Sequence, residues 1–165
     1  MSKVSSTSLK MIRNFEVAPE IVFDAWLKPE MMRKWFFTLE GTNKVTRNNP
    51  QVGGTWEIID HRGGQDYRAI GEYLELDSPK KIKLTFKMPE MSDLEDTLTV
   101  ELKELEKGCE MTFLQLIHVA QELNSTDPEI KIALDEMRDG TEVGWNYMFM
   151  GLKELVETGE VSYKG

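Results

Sequence analysis

The sequence predicts an α+β fold in which a curved antiparallel sheet of about six or seven strands closes around a long C-terminal helix. Two short helices are expected after the first strand. Three observations carry this expectation. A strand-like stretch ending near Val17 runs into two helical stretches, each opened by a proline, Pro19 and Pro29. A series of alternating segments separated by turn residues then extends from Thr55 to His118. Finally, Trp145, Met148, Phe149, Leu152, Leu155 and Val156 recur at helical spacing.

Taken in order, residues 1–8 are rich in Ser and Thr and are expected to be a disordered N-terminus. Leu9, Met11, Phe15 and Val17 share one parity and predict the first strand. Pro19 suits the first turn of a helix, where its missing N–H would have no partner anyway. Val22, Phe23, Trp26 and Leu27 give that helix one apolar stripe. Lys28 precedes a proline and is steered out of the helical region, so the helix stops there. Pro29 opens the second helix, with Met31, Met32, Trp35 and Phe36 on its face.

The meander follows. Asn49-Pro50 and Gly53-Gly54 are turn signals, as is the Gly63-Gly64 hairpin. Strands are expected over Thr55–Asp60, Tyr67–Leu76, Ile82–Phe86, Leu98–Leu102 and Cys109–His118, with Gly71 marking a bulge or bend. Residues 119–127 read as a loop. Thr126 and Glu129 are placed to form a capping pair for a short helix ended by Gly140. The last helix is expected over 142–158, with 159–165 as a tail. Residues 9–158 therefore read as a single domain, consistent with 165 residues of which 40% are hydrophobic and 30% charged.

The net charge of −9 argues against nucleic acid and anionic membrane surfaces, both of which are recognised by Lys/Arg patches. The N-terminal stretch has no apolar signal region, so a cytoplasmic protein is expected. Cys109, the one cysteine, reads as a small buried hydrophobe. His61 and His118 lack metal-ligand spacing, so no metal and no cofactor are expected. Asp60 shares parity with Trp56 and Ile58. An inward carboxylate there needs a partner, and Arg68 on the next strand is the candidate.

The pieces Ala18-Pro19-Glu20, Val22-Phe23-Asp24-Ala25, Lys28-Pro29-Glu30 and Trp35-Phe36 occur in this order. They are followed by Val52-Gly53-Gly54-Thr55-Trp56, Gly71-Glu72-Tyr73-Leu74-Glu75 with Pro79, and Gly144-Trp145 with Leu152 and Leu155. In that order and spacing they resemble the activator of Hsp90 ATPase homologue 1-like family of the START-like (SRPBCC) helix-grip superfamily. The resemblance covers roughly residues 9–157. It implies a cavity between the C-terminal helix and the concave sheet face, binding a small apolar or amphipathic molecule. Alternatives are a chaperone-associated interaction domain, with Hsp90 or another protein as partner, and a cyclase- or hydrolase-type enzyme using the same cavity through Asp60 or His118.

The residues expected to line the cavity are Trp35, Trp56, Ile58, Tyr67, Tyr73, Phe86, Val100, His118, Trp145, Met148, Phe149 and Leu152. Bulky aromatics with flexible methionines suit a space that accepts varied apolar shapes. The segment 119–140 departs from shorter relatives and is expected either to cap the cavity mouth or to extend the packing.

Overall fold

A computed structural model describes residues 2–165. Strand β1 (Ser2–Phe15) leads into helices α1 (Pro19–Leu27) and α2 (Pro29–Trp35). Six strands follow, β2 (Asn43–Asn48), β3 (Thr55–Arg62), β4 (Gln65–Asp77), β5 (Lys81–Phe86), β6 (Asp96–Leu105) and β7 (Gly108–Glu122), and then helix α3 (Asp127–Thr158). The strands form one antiparallel sheet in the order β1-β7-β6-β5-β4-β3-β2.

The local chemistry acts as the sequence predicts at both proline-opened helices. Lys28 is extended (φ −81°, ψ 125°), and it both ends α1 and precedes α2. Thr126 and Glu129 form a reciprocal capping box at the start of α3, and Gly159, at φ 91°, closes its end in the left-handed region.

Alternation along each strand sends one set of side chains to the concave face. Leu9, Met11 and Phe15 of β1 join Cys109, Met111, Phe113 and Ile117 of β7, all buried. Leu98, Val100 and Leu102 of β6 continue this layer through Ile82 and Leu84 of β5 to Tyr73, Ala69, Ile58 and Trp56. Trp145, Phe149, Leu152 and Leu155 of α3 close it from above. Trp26 sits among rings of three elements, its centroid 4.8 Å from Trp35, 6.0 Å from Trp145 and 6.2 Å from Phe113.

The structure differs from the sequence-based expectation in three places. Residues 2–8, expected to be disordered, extend β1 and pair with residues 116–122 of β7, which itself runs past the expected end at His118. Backbone ladders do not depend on apolar side chains, so the Ser- and Thr-rich residues 2–8 gave no pattern to read. Strand β2 was not anticipated because its six residues include one aliphatic, Val45, and it lies at the sheet edge. The expected short helix and C-terminal helix are one, 32 residues long. Gly140 does not end it, because the position is exposed and a helical glycine there costs only about 1 kcal/mol. The C-terminal tail packs back onto the domain. Val161 is buried, the Gly41 amide donates to the Lys164 carbonyl at 2.6 Å, and Lys164 Nζ reaches Glu40 at 3.0 Å and Glu160 at 2.6 Å.

Candidate functional site

The inward face of β3 changes character along its length. Trp56 and Ile58 are buried in the core, Asp60 is buried, and Arg62 is exposed. The strand thus runs from the packed interior to an open cavity of about 790 Å³ between α3, the loop after α2, and the mouth end of β3 and β4. Its apolar wall includes Trp35, Phe37, Leu39, Ala69, Met88, Met148 and Val161, with Tyr67, Tyr147 and Tyr163 adding rings that carry hydroxyls.

Helix α3 presents two neighbouring stripes. Trp145, Phe149, Leu152 and Val156 face the core, and Gly144, Tyr147, Met148, Gly151 and Glu154 line the cavity. The two glycines hold the wall back. A Cβ at Gly144 would meet no heavy atom within 4 Å.

Asp60 organises the polar end. Its Oδ1 accepts from the hydroxyls of Thr38 at 2.7 Å and Thr42 at 2.5 Å, and its Oδ2 lies 2.6 Å from Arg62 Nε. The expected partner, Arg68, instead pairs with Glu57 at 2.6 Å on the opposite face. Parity decides this, since Arg62 shares the inward parity of Asp60 and Arg68 does not. The Arg62 guanidinium also stacks over the Tyr67 ring, 4.7 Å from its centroid. Glu154, the second carboxylate on the wall, accepts from the backbone N–H of Ser162 at 2.7 Å and from the Ser162 hydroxyl. These bonds hold its carboxyl below the ordinary range.

Phe37 is the one non-glycine among the described residues with positive φ, at 57°. A bulky side chain in that region is strained. It is held by stacking on Phe86, 4.6 Å away with an interplanar angle of 5°, and by its amide, which donates to the Met148 sulfur at 3.3 Å. The strain turns the chain sharply after α2 and sets the Phe37 ring in the cavity wall.

Of the twelve residues expected to line the cavity, the structure brings Trp35, Tyr67 and Met148 together there. Trp56, Ile58, Val100, Trp145, Phe149 and Leu152 are packed into the solid core below it. Phe86 supports the wall from behind Phe37. Tyr73 is buried near Asn48, away from the cavity. Burial pushes its phenol well above its ordinary value, Asn48 opposes this in part, and the hydroxyl completes no hydrogen bond. His118 stands on the outward parity of β7, opposite Ser6, and its backbone amide donates to Asp96 at 3.0 Å. Alternation identifies which side chains point inward, but it does not say where along a strand packing stops and open space begins.

Sequence reasoning missed Phe37, Thr38, Leu39, Thr42, Arg62, Ala69, Met88, Val161 and Tyr163, and on α3 Tyr147, Met150, Gly151 and Glu154. Arg62 was within reach, for the parity that turns Asp60 inward applies two residues later. Phe37, Thr38, Leu39, Thr42, Met88, Val161 and Tyr163 lie in loops and the tail, which carry no periodic signal, and the α3 residues sit on a stripe beside its core-facing one. The inward Gln115 was a further readable sign. It accepts from Trp145 Nε1 at 2.7 Å and donates to Asp96 at 2.8 Å, so it anchors α3 to the sheet. Among the described residues, no cluster of His, Cys, Asp and Glu is arranged to hold a metal, and no helix is long and apolar enough to cross a membrane.

Comparison with known proteins places this geometry in context. A protein of unknown function from Staphylococcus aureus, SA2116, is similar over 95% of this chain and 97% of its own, with 28% identity and a TM-score of 0.88. CV1439 from Chromobacterium violaceum shares 24% identity over 91% of this chain and 96% of its own, with a TM-score of 0.69. ChR145 from Cytophaga hutchinsonii shares 22% identity over 95% and 97%, with a TM-score of 0.62. The last two likenesses concern the fold. No protein of curated function matches. The sequence of residues 16–157 matches the family described as activator of Hsp90 ATPase homolog 1-like protein. With its seven-stranded curved sheet closed by a long C-terminal helix, the chain belongs to that family and has the START-like helix-grip fold.

Proposed function

We propose that this protein binds a small apolar or amphipathic molecule in the cavity between α3 and the mouth end of β3 and β4. The observation that carries the reading is the cavity itself. Its volume of about 790 Å³ falls within the range of small-molecule sites, and its lining joins a broad apolar wall to a few polar groups at one end. Met88, Met148 and Met150 give that wall side chains that adapt to shape. The fold family generally binds hydrophobic ligands, which supports the same reading. A cytoplasmic setting is part of the proposal.

Native mass spectrometry of freshly purified protein tests it, followed by titration with Nile red, a neutral apolar dye. A retained molecule, or saturable uptake of one dye per chain, is expected. Bare protein that takes up no dye would overturn the reading.

A second reading, a protein-interaction domain with a chaperone partner, draws support from an exposed apolar patch outside the cavity. Ile12 of β1 and Leu114 and Leu116 of β7 lie on the convex face, each at least 40% exposed. Substituting all three by Ser should abolish capture of a purified chaperone if this face is the contact. It should leave dye uptake unchanged.

A further inference from the structure

The polar groups of the cavity are unequally occupied. Both carboxylates on the wall are engaged at both oxygens. Asp60 accepts from two hydroxyls and ion-pairs with the Arg62 guanidinium, and Glu154 accepts from the amide and hydroxyl of Ser162. The hydroxyls of Thr38 and Thr42 are turned to Asp60. Arg62 contrasts with them. Asp60 holds it at Nε, and the Tyr67 ring supports its plane. Apart from Asp60, no described residue makes a hydrogen bond or ion pair with Arg62, and the contact to Asp60 is made at Nε, which leaves the Nη edge to the cavity. The phenols of Tyr67, Tyr147 and Tyr163 on the same wall are likewise without partners among the described residues. The free hydrogen-bonding capacity of the cavity is therefore mainly that of donors, and its strongest member is one edge of a guanidinium.

A guanidinium held at Nε and backed by a ring has lost much of its freedom before any ligand arrives. Its remaining edge is the planar two-donor fork that matches a carboxylate or sulfonate. A cation at this end would find no free carboxylate oxygen, and a wholly apolar ligand would leave the fork facing nothing. We infer that the ligand is an amphipathic organic anion, with its apolar body against Trp35, Phe37, Met88 and Met148 and its acidic head on the Nη edge of Arg62. Asp60, Thr38 and Thr42 position the arginine and do not touch the ligand. This inference rests on the cavity-binding reading above.

Dodecanoate and dodecanol share a chain and differ in the head, so they separate the two claims. Each is titrated against Nile red bound to the parent protein, to Arg62→Gln and to Arg62→Lys, with melting curves on the same samples. Arg62→Lys keeps a positive charge beside the buried Asp60 and is expected to melt as the parent does, while Arg62→Gln removes that charge and is expected to melt lower yet remain folded at the titration temperature. In the parent, dodecanoate should displace the dye at roughly tenfold lower concentration than dodecanol, as one charge-assisted pair implies. Arg62→Gln should abolish that preference by weakening the acid alone, and Arg62→Lys should retain part of it. Equal displacement by acid and alcohol in the parent, or an unchanged preference in Arg62→Gln, would overturn the assignment of the head group while leaving the cavity reading intact. If the parent binds neither dye nor alcohol nor acid, the cavity reading fails and this inference with it.

Discussion

Gly71 stands directly opposite Trp56 in the β3–β4 pair, and the Trp56 indole crosses it to donate to the Thr85 carbonyl at 3.2 Å. A Cβ at this position would collide with both the Thr85 oxygen and the indole. Because one of the two obstacles is backbone, relief requires the strands to separate. Gly71→Ala is expected to cost about 1–3 kcal/mol, read from urea unfolding. Equal stability would mean that the close approach is absent. Gln115 is a second residue whose role is local and strong. Replacing it by leucine keeps the volume but strips the buried Trp145 N–H of its acceptor and Asp96 of a donor. The expected loss is about 1–3 kcal/mol. A Gln115→Leu variant as stable as the parent would show that the Trp145–Gln115–Asp96 chain contributes nothing.

At the scale of elements, α3 and the tail beyond it carry the least obvious behaviour. Gly140 lies within the helix with open space around it, so Gly140→Ala should stabilise the protein by about 0.5–1 kcal/mol. A loss of stability would indicate that the helix breaks there, as the residue type suggests. The tail is tied by charges whose titration sets its pH window. Glu40 is held below its ordinary 4.5 by the Lys164 hydrogen bond and by the charges of Lys164, Lys34 and Arg33. Ser162 holds Glu154 below its ordinary 4.5. Groups with lowered values stabilise the folded form above 4.5, and the contribution fades as pH falls below 4.5 through the depressed values. Lys164 is raised above its ordinary 10.5 by Glu160 and Glu40, so its contribution is full below 10.5 and fades as pH rises through the raised value. The amide resonances of Gly41 and Ser162 should therefore stay constant across neutral pH and move together under acid. Movement of both near neutrality would contradict this description of the tie.

For the molecule as a whole, the sequence made legible what periodicity can encode. The proline-opened helices, six of the seven strands at least in part, and the core stripe of α3 all follow from spacing and from φ restriction at proline. What was not legible lacks a periodic signal. Strand β2 and residues 2–8 pair through backbone ladders with few apolar side chains to mark them, and the tail makes its contacts through Val161 and Lys164. The site divides in the same way. Asp60, Tyr67, Trp35 and Met148 were readable as inward residues. The boundary between packed core and open cavity depends on Gly144 and Gly151 holding α3 back, and on the turn at Phe37, which no alternation reveals. Gly144 offers the most direct test of the claim that this space is a binding cavity, because it lies on the cavity wall and a Cβ added there meets no heavy atom within 4 Å. Nile red uptake and thermal unfolding should be measured on the parent and on Gly144→Trp. The account predicts saturable uptake by the parent, and loss of uptake by the variant at an unchanged or higher melting temperature. No uptake by the parent, or undiminished uptake by a folded Gly144→Trp, would contradict it.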